Sequence, residues 1–401
     1  MRVDLRGAAA ALTFCAAAAS VAYTAFAITR VAAFGRRVAR ARRMRLPSEL
    51  RWPPLHAPAI TVLKPVRGIE PELVRNLASF CDQDYPAYDV VLGVLDPHDA
   101  ALPVLRHVAQ TYPGRVTVVT GDGIARCRNP KIATLLPMLE HATGEIVVVA
   151  DSDMRVGRDY LETLAAAFAD PRVGAATALY RGEPAGDGLA SRLGAMWITS
   201  QFAPSVLVAN ALEPLAYCFG STMAVRRTVL DALGGFAALG DELADDHALG
   251  RLVAQGGRVV LLPYVVENVV DEANLRALFA HEVRWARTIR TMRPASYLGV
   301  LLTYPLPLAH LHFALARDKR FARPLYLAAF VLRAVLELAS NAALGTKRRS
   351  SWRFAIALRD ALGIAVWFTG LTGRDVRWRD DALRFRPGGG LASPEPGEEG
   401  E

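Results

Sequence analysis

The sequence predicts an α/β domain attached to a membrane at both ends. An uncharged, mostly apolar run covers 7–29, β-branched runs alternate with helical stretches over 55–293, and further apolar stretches follow. Hydrophobic residues make up 52% of the 401, which excludes a disordered chain and is high for a soluble one. Four scattered cysteines without a CxxC pair exclude a disulfide scaffold and a cysteine-rich zinc site.

The first apolar run predicts an uncleaved membrane anchor within 1–35. A helix over these residues would cross about 30 Å of hydrocarbon. A cleaved signal peptide is the alternative, but the run is longer than a signal core and a basic cluster follows it. The cluster comprises Arg30 and seven arginines of a predicted juxtamembrane linker over 36–54, namely Arg36, Arg37, Arg40, Arg42, Arg43, Arg45 and Arg51. It places the next domain in the cytoplasm, at the inner membrane. It lacks interleaved aromatic residues, so no nucleic-acid partner is expected.

The middle of the chain predicts a mostly parallel sheet covered by helices, because strands and helices alternate. Ligands of such sheets bind beyond the carboxyl ends of the strands. The predicted strands are 59–63, 89–95, 116–120, 146–150, 173–180, 221–225 and 258–262. The predicted helices are 70–81, 100–111, 131–142, 158–169 and 242–255.

The C-terminal region, 294–372, predicts membrane-associated helices. Its apolar stretches are 297–316, 324–343 and 354–371. In the second, Arg333 and Glu337 are spaced to pair on one helix face. In the third, Arg359 and Asp360 favour a position in the membrane interface. Basic residues flank both loops, so the number of crossings stays open. The tail, 373–401, is expected to be disordered from about 387.

Carboxylates follow the predicted strands where a ligand site would lie. Asp96 ends one strand, Asp151 and Asp153 flank Ser152 after another, and Asp245 and Asp246 open a helix. A single acid of this kind is often only a turn or helix cap. Two acids flanking one residue can share Mg²⁺ or Mn²⁺, which prefer oxygen ligands and bridge to substrate phosphates.

Ordered motifs resemble the family 2 glycosyltransferases and, more closely, their ceramide glucosyltransferase-like relatives of family 21. The motifs are Thr61–Gly68, Gln83–Pro86, Val94–Asp96, Asn129–Lys131, Asp151–Asp153, Ala244–Asp246 and His281–Trp285. The stretches Tyr180–Gly186, Cys218–Met223 and His281–Arg290 resemble the hopanoid-biosynthesis-associated glycosyltransferases. That family is associated with transfer of N-acetylglucosamine (GlcNAc) to bacteriohopanetetrol.

The resemblance implies a GT-A (Rossmann-like) fold and an inverting, metal-dependent enzyme. The implied donor is a UDP-sugar, the implied acceptor is a membrane lipid alcohol, and the implied cofactor is Mg²⁺ or Mn²⁺. Asp96 is implied to contact the nucleoside and Asp151 the nucleotide, while Asp153 would bind the metal. Asp246 would be the base that accepts the proton of the acceptor, with Asp245 either its partner or a helix-entry acid.

The resemblance implies weaker roles for several basic residues. Lys64 and Lys131 would contact the donor, although Lys131 could equally be a surface lysine. Arg284 and Trp285 would lie at the diphosphate and the acceptor mouth, or else anchor the chain in the membrane interface. His281 stands where the family has Gln or Arg, so no role carries over to it.

Other functions stay open at this point. The alternatives are a ceramide glucosyltransferase using UDP-glucose, a processive polysaccharide synthase and a non-catalytic membrane scaffold. A scaffold gives no reason for acids after three strands, and a synthase would need a polymer channel made from more membrane helices.

Overall fold

The computed structural model describes residues 5–44, 57–346, 355–373, 375–378, 381–385 and 391–392. Helix α1, Leu5–Arg43, is a single helix of 39 residues. It carries the predicted anchor and continues through the arginines up to Arg43, so the first part of the predicted linker is helical. Arg45 and Arg51 lie outside the described residues.

The middle of the chain forms an eight-stranded sheet in the order β3-β2-β1-β4-β7-β6-β8-β5. Its strands are β1 Ile60–Pro65, β2 Tyr88–Val94, β3 Val116–Thr120, β4 Ile146–Val149, β5 Met154–Arg155, β6 Val173–Pro184, β7 Met223–Arg226 and β8 Arg258–Val270. Strands β3, β2, β1 and β4 are parallel, and β7 runs antiparallel between β4 and β6. The predicted α/β class is therefore confirmed. Only β5, two residues long, has no predicted counterpart, because two residues show no periodicity.

Helices cover the sheet on both faces. They are α2 Leu73–Cys81, α3 Leu102–Thr111, α4 Pro130–Leu139, α5 Tyr160–Ala167, α6 Leu189–Trp197, α7 Ala203–Leu212, α8 Arg227–Ala232, α9 Asp245–Val253 and α10 Leu275–Met292. A π-helical turn, Ile198–Phe202, joins α6 to α7. No element is predicted over 189–212, where the pattern is apolar on nearly all sides.

Within the described residues, two helices are long and apolar enough to cross a membrane, namely α1 and α13, Lys319–Leu344. A third candidate is a bent pair, in which α11 (Pro294–Gly299) and a 3₁₀ turn meet α12 (Pro305–Leu315) at 70°. The last helix, α14 (Ala355–Gly370), has 16 residues, about 24 Å, which is shorter than a hydrocarbon core.

Buried ion pairs join the C-terminal helices to one another and to the α/β domain. Arg333 bonds Glu337 at 3.4 Å, as predicted, and bonds Asp360 at 3.0 Å. Arg359 makes two bonds, of 2.7 and 2.6 Å, to Glu282 of α10. Arg359 and Asp360 are fully buried. Their charges, which from the sequence favour an interfacial position, are instead neutralised by partners inside the protein.

The tail contains a small antiparallel sheet. Its strands are β9 Asp375–Trp378, β10 Asp381–Phe385 and β11 Leu391–Ala392. The expected disorder from about 387 is therefore wrong for Leu391 and Ala392. Residues 386–390 and 393–401 lie outside the described part of the chain.

Candidate active site

The predicted acids meet at one edge of the sheet. Asp151 and Asp153 follow β4, whose carboxyl end lies at the same edge as those of β1 and β2. Because β7 is antiparallel, the loop that precedes it, 218–222, enters at this edge as well. Helix α9 begins there, and its second residue, Asp246, accepts a bond from the backbone N–H of Gly220.

Lys131 joins two of these acids. Its Nζ lies 2.8 Å from Asp151 Oδ1 and 2.9 Å from Asp245 Oδ2, and its side chain is only 10% exposed. Asn129 caps α4 by accepting bonds from the N–H groups of residues 131 and 132, which fixes where this lysine starts. Burial by itself would lower the pKa of Lys131. The negative charges of Asp151, Asp245 and Asp246 have the larger combined effect, so the pKa is raised. Lys131 is thus no surface lysine, and Asp245 is more than a helix-entry acid.

Asp246 is held by backbone donors. Its Oδ2 accepts from the N–H of Gly220 at 3.0 Å, and its Oδ1 accepts from the N–H of His247 at 2.7 Å. Burial, followed by the neighbouring charge of Asp245, raises the pKa of Asp246 to about 7. A carboxylate with a pKa near neutrality can accept a proton and release it again at physiological pH.

Gly220 is required for this arrangement. Its carbonyl accepts a bond from the N–H of Asp151 at 3.0 Å, while its own N–H donates to Asp246. A Cβ at this position would lie 2.1 Å from Asp151 Oδ2. The glycine therefore allows two acidic segments to approach the same backbone unit.

Asp153 has one engaged and one unengaged carboxylate oxygen. Oδ2 accepts from Asn268 Nδ2 at 2.7 Å, and the buried Oδ1 has no hydrogen-bond partner among the described residues. Burial, then the charges of Asp151 and Glu70, raise the pKa of Asp153 to about 7. The described residues contain no group of three His, Cys, Asp or Glu side chains placed to hold a metal ion. One carboxylate oxygen fits a cation that takes its other ligands from substrate phosphates and water.

Lys64 lies beneath the acidic loop. Its side chain is fully buried, and its ammonium donates to the backbone carbonyl of Asp151 and lies 4.0 Å from the centre of the Phe80 ring. Burial lowers the pKa of Lys64 to about 8, against the opposing pull of nearby carboxylates. In this position Lys64 supports the loop that carries the predicted donor contacts.

Asp96 lies at the exposed rim of the same edge. Its Oδ1 accepts from the N–H of His98 at 2.8 Å, which makes a turn after β2. Asp99, which the sequence analysis does not single out, accepts the N–H of Gly68 with both oxygens, at 2.9 and 3.0 Å. The Asp99 bonds join the loops that follow β1 and β2.

A series of aromatic rings runs from α10 to α9. Neighbouring ring centroids lie 5.2 to 5.9 Å apart. In order, the ring series is Trp285, Trp197, Phe202, Phe219, Tyr217 and His247. The series begins on α10, the helix to which Arg359 is bonded through Glu282, and it ends beside Asp246. Trp285 therefore packs on the α/β domain rather than standing alone as an interfacial anchor.

Arg284 and His281 share an acidic neighbour that spacing alone does not indicate. His281 Nδ1 bonds Glu272, and the ring of His281 meets Trp285 edge-on with centroids 4.5 Å apart. Arg284 is partly buried; burial lowers its pKa, and Glu272 opposes that shift. Glu272 lies just before α10, and only the folded structure brings it beside the His281–Trp285 motif.

Comparison with known proteins identifies the class of the chain. The sequence profile described as glycosyl transferase family 21 matches residues 12–391. The chain belongs to this family, and its sheet is thereby a glycosyltransferase fold of the GT-A type, as predicted.

Its relatives include ceramide glucosyltransferases. Ceramide glucosyltransferase 1 of Caenorhabditis elegans is 21% identical over 238 residues, which cover 59% of this chain and 51% of the relative. The ceramide glucosyltransferase of Gibberella zeae is 30% identical over 136 residues, 31% of this chain and 26% of the relative. The chain thus spans about half the length, or less, of these curated relatives.

Solved structures that this chain resembles include a mannosyltransferase and a protein bound to UDP-GlcNAc. The mannosyltransferase PcManGT from Pyrobaculum calidifontis, in complex with GDP-Man and Mn²⁺, is 24% identical with a TM-score of 0.47, and covers 89% of this chain and 99% of its own. S. aureus TarS 1-349 in complex with UDP-GlcNAc is 15% identical with a TM-score of 0.39, and covers 84% and 99%.

Proposed function

We propose that this protein transfers a sugar from a nucleotide-sugar donor to a hydroxyl group of a membrane lipid, with inversion at the anomeric carbon. The observation that carries the proposal is the position of Asp246. Its carboxylate has a raised pKa, lies at the strand edge with Asp151 and Asp153, and adjoins the ring series that leads towards the apolar helices.

The residues divide the chemistry among them. The acceptor oxygen attacks the anomeric carbon, its proton passes to Asp246, and the bond to the leaving diphosphate breaks with its electron pair. Lys131 holds Asp151 and Asp245 in place, which sets the distance between the donor loop and the base. Arg284 would add positive charge where the diphosphate leaves, and such preorganised charge stabilises the transition state.

Asp153 is the residue that would hold Mg²⁺ or Mn²⁺, through the unpartnered Oδ1. A bound divalent cation supplies positive charge that neutralises the leaving diphosphate. We expect chelation to abolish transfer and Asp153→Asn to raise the metal concentration needed for half-maximal activity at least tenfold. Glu162→Gln, on helix α5, is the matched control, because it removes one carboxylate that is not among the acids after the strands. Full activity in excess chelator would contradict the proposed cofactor.

The proposal also specifies the donor sugar and the acceptor lipid. The stretches Tyr180–Gly186 and Cys218–Met223 support GlcNAc as the sugar and bacteriohopanetetrol as the acceptor. The curated relatives support the alternative of glucose and ceramide. Membranes that contain the protein should be incubated with UDP-GlcNAc or UDP-glucose and each lipid in turn, and the product identified by mass. A product from none of the four combinations, beside an active reference enzyme, would contradict the proposed chemistry.

The proposed location is the inner membrane, with several crossings and the α/β domain in the cytoplasm. The arginines at the end of α1 support this orientation, because cytoplasmic flanks carry excess positive charge. Membership of glycosyl transferase family 21 argues against the non-catalytic scaffold, which predicts that Asp246→Asn has no biochemical phenotype.

A further inference from the structure

A cleft between α1 and α7 lies away from the candidate active site. It is a small cleft, with a cavity volume of about 40 Å³, and it opens to solvent. Arg30, Phe34 and Arg37 line it from α1, and Leu207 and Asn210 line it from α7. Two alanines complete the lining. The cleft thus combines apolar walls with three nitrogen-bearing side chains.

The charge of the cleft is entirely positive. None of its lining residues is acidic, and no ion pair within the described residues includes Arg30 or Arg37. Arg37 donates one bond, of 3.3 Å, to the backbone carbonyl of Leu261, which fixes the side chain at the cleft. A guanidinium has five N–H donors, so this bond leaves donors able to bind an anion. Guanidinium groups bind phosphate oxygens well because two donors match two oxygens.

The place of the cleft along α1 indicates where its ligand comes from. Arg30 directly follows the apolar run that ends at Thr29, so the cleft begins where a spanning helix leaves the hydrocarbon. Arg30 and Arg37 are two turns apart on one helix face, about 10 Å along the axis. This is the depth at which lipid headgroups lie, and anionic headgroups attract juxtamembrane basic residues.

We propose that this cleft binds the phosphate headgroup of an anionic phospholipid. The two guanidinium groups and the Asn210 amide would donate to the phosphate and glycerol oxygens, and Phe34 and Leu207 would contact the start of the acyl chains. The site is independent of the proposed sugar transfer. The cleft is nevertheless connected to the candidate active site, because the segment after α7 carries Tyr217 of the ring series. In that segment Glu213 pairs with Arg293 at 2.5 Å.

The test measures lipid binding without any sugar chemistry. The full chain in detergent is titrated with dioctanoyl phosphatidylglycerol, and bound lipid is counted by native mass spectrometry. Dioctanoyl phosphatidylcholine and inorganic phosphate are the comparison ligands. We expect the wild type to retain phosphatidylglycerol at least tenfold better than either, and Arg30→Gln/Arg37→Gln to lose this preference.

A matched control separates the cleft from overall charge. Arg36→Gln/Arg43→Gln removes the same charge from the same helix at exposed positions that do not line the cleft. It should bind as the wild type does. Equal losses in both double variants, unchanged binding in Arg30→Gln/Arg37→Gln, or binding of inorganic phosphate as tight as that of phosphatidylglycerol would each overturn the proposal.

A second variant covers the case in which the double variant fails to fold. Asn210→Asp places a carboxylate in the cleft while leaving both arginines and the apolar walls. It should lower the affinity for phosphatidylglycerol at least tenfold by repelling the phosphate, and unchanged affinity would also overturn the proposal.

Discussion

Asp246 is the residue on which the proposed chemistry depends most directly. Asp246→Asn keeps the size of the side chain and removes its basicity, so kcat should fall about 10²–10⁴-fold with little change in donor KM. Asp245→Asn is the informative companion, since Asp245 pairs with Lys131 and should affect donor binding more than kcat. If Asp245→Asn lowered kcat more than Asp246→Asn, the base would be Asp245.

The raised pKa of Asp246 also predicts the pH dependence of activity. A general base works when it is deprotonated, so kcat/KM should fall as the pH drops through about 7, the pKa of Asp246. Burial raises the pKa of metal-free Asp153 to about 7 as well, so at limiting metal concentration protons would compete with the cation for this carboxylate and steepen the fall. A profile that stays flat down to pH 5 in the wild type would contradict the role of both carboxylates.

Gly220 offers a steric test of the site. In Gly220→Ala the new Cβ would lie 2.1 Å from Asp151 Oδ2, so the Asp151 side chain must turn away and its ion pair with Lys131 is disturbed. Overpacking of this kind costs about 1–3 kcal/mol of stability. We expect transfer to fall more than tenfold at a temperature where the variant remains folded. Gly256→Ala is the control, because a Cβ there meets nothing within 4 Å. Equal activities in the two variants would contradict this geometry.

At the scale of elements, the strands and their terminal acids could be predicted because the signal is local. The run Ile146–Val149 is β-branched and fully buried, and Asp151 follows it. The partners of those acids could not be predicted in the same way. Asn268 reaches Asp153 across 115 positions of sequence, and no spacing rule indicates such a pair.

Long-range partners also explain why the sequence suggests an interfacial position for the charged residues of α14, whereas the structure buries them. A charged pair inside an apolar stretch indicates either an interfacial helix or a buried ion pair, and the sequence does not reveal which. Arg359 and Glu282 are 77 positions apart in the sequence, and only folding brings them together. The π-helical turn that bonds Asp360 through Gln201 likewise has no distinctive sequence pattern.

The Glu282–Arg359 pair predicts how firmly α14 is held on α10. Both side chains are buried, so Arg359→Met should destabilise the protein by about 3–5 kcal/mol because it leaves a buried carboxylate unpaired. The exchanged pair Glu282→Arg/Arg359→Glu should recover part of the loss. Thermal unfolding in detergent measures both. Arg75→Ala, which removes an exposed ion pair with Glu72, should change little. A similar small effect for Arg359→Met would mean that α14 is not docked as described.

At the scale of the whole molecule, the contacts of the apolar helices define their directions. Ser20 of α1 bonds the carbonyl of Leu302 at 2.6 Å, and Thr13 lies 3.4 Å from His312, so α12 runs antiparallel to α1. Gly35 packs against Ala343, so the end of α13 returns to the arginine-rich end of α1. The α/β domain meets that same end, because Arg181 bonds the carbonyl of Gly345.

These directions predict the side of the membrane on which the short loop 316–318 lies. The segment after α14 also contacts the α/β domain, since Arg287 donates to the Thr372 carbonyl at 3.1 Å. The chain from the end of α10 to Thr372 must therefore cross the membrane an even number of times. The bent pair and α13 supply two crossings, which puts the loop opposite the α/β domain. The positive-inside rule favours the other side, since Arg317, Lys319 and Arg320 adjoin the loop. Two of its polar side chains already have local partners: Lys319 donates to the Ala314 carbonyl at 3.3 Å, and Asp318 caps the N–H of Arg320.

Cysteine labelling decides between the side of the membrane that the helix packing predicts for this loop and the side that the positive-inside rule predicts. In a background with the four native cysteines replaced, Arg317→Cys should react with a membrane-impermeant maleimide in intact cells. Gly256→Cys, on the α/β domain, should react only after the cells are opened. Labelling of both positions only in opened cells would mean that the bent pair re-enters without crossing and that α13 does not span. Hydrogen bonds to the α/β domain, from Arg333 to Ser200 and from Arg181 to the Gly345 carbonyl, would then hold α13 along the membrane surface. Its exposed apolar side chains, among them Phe321, Leu327 and Phe330, would lie in the interface.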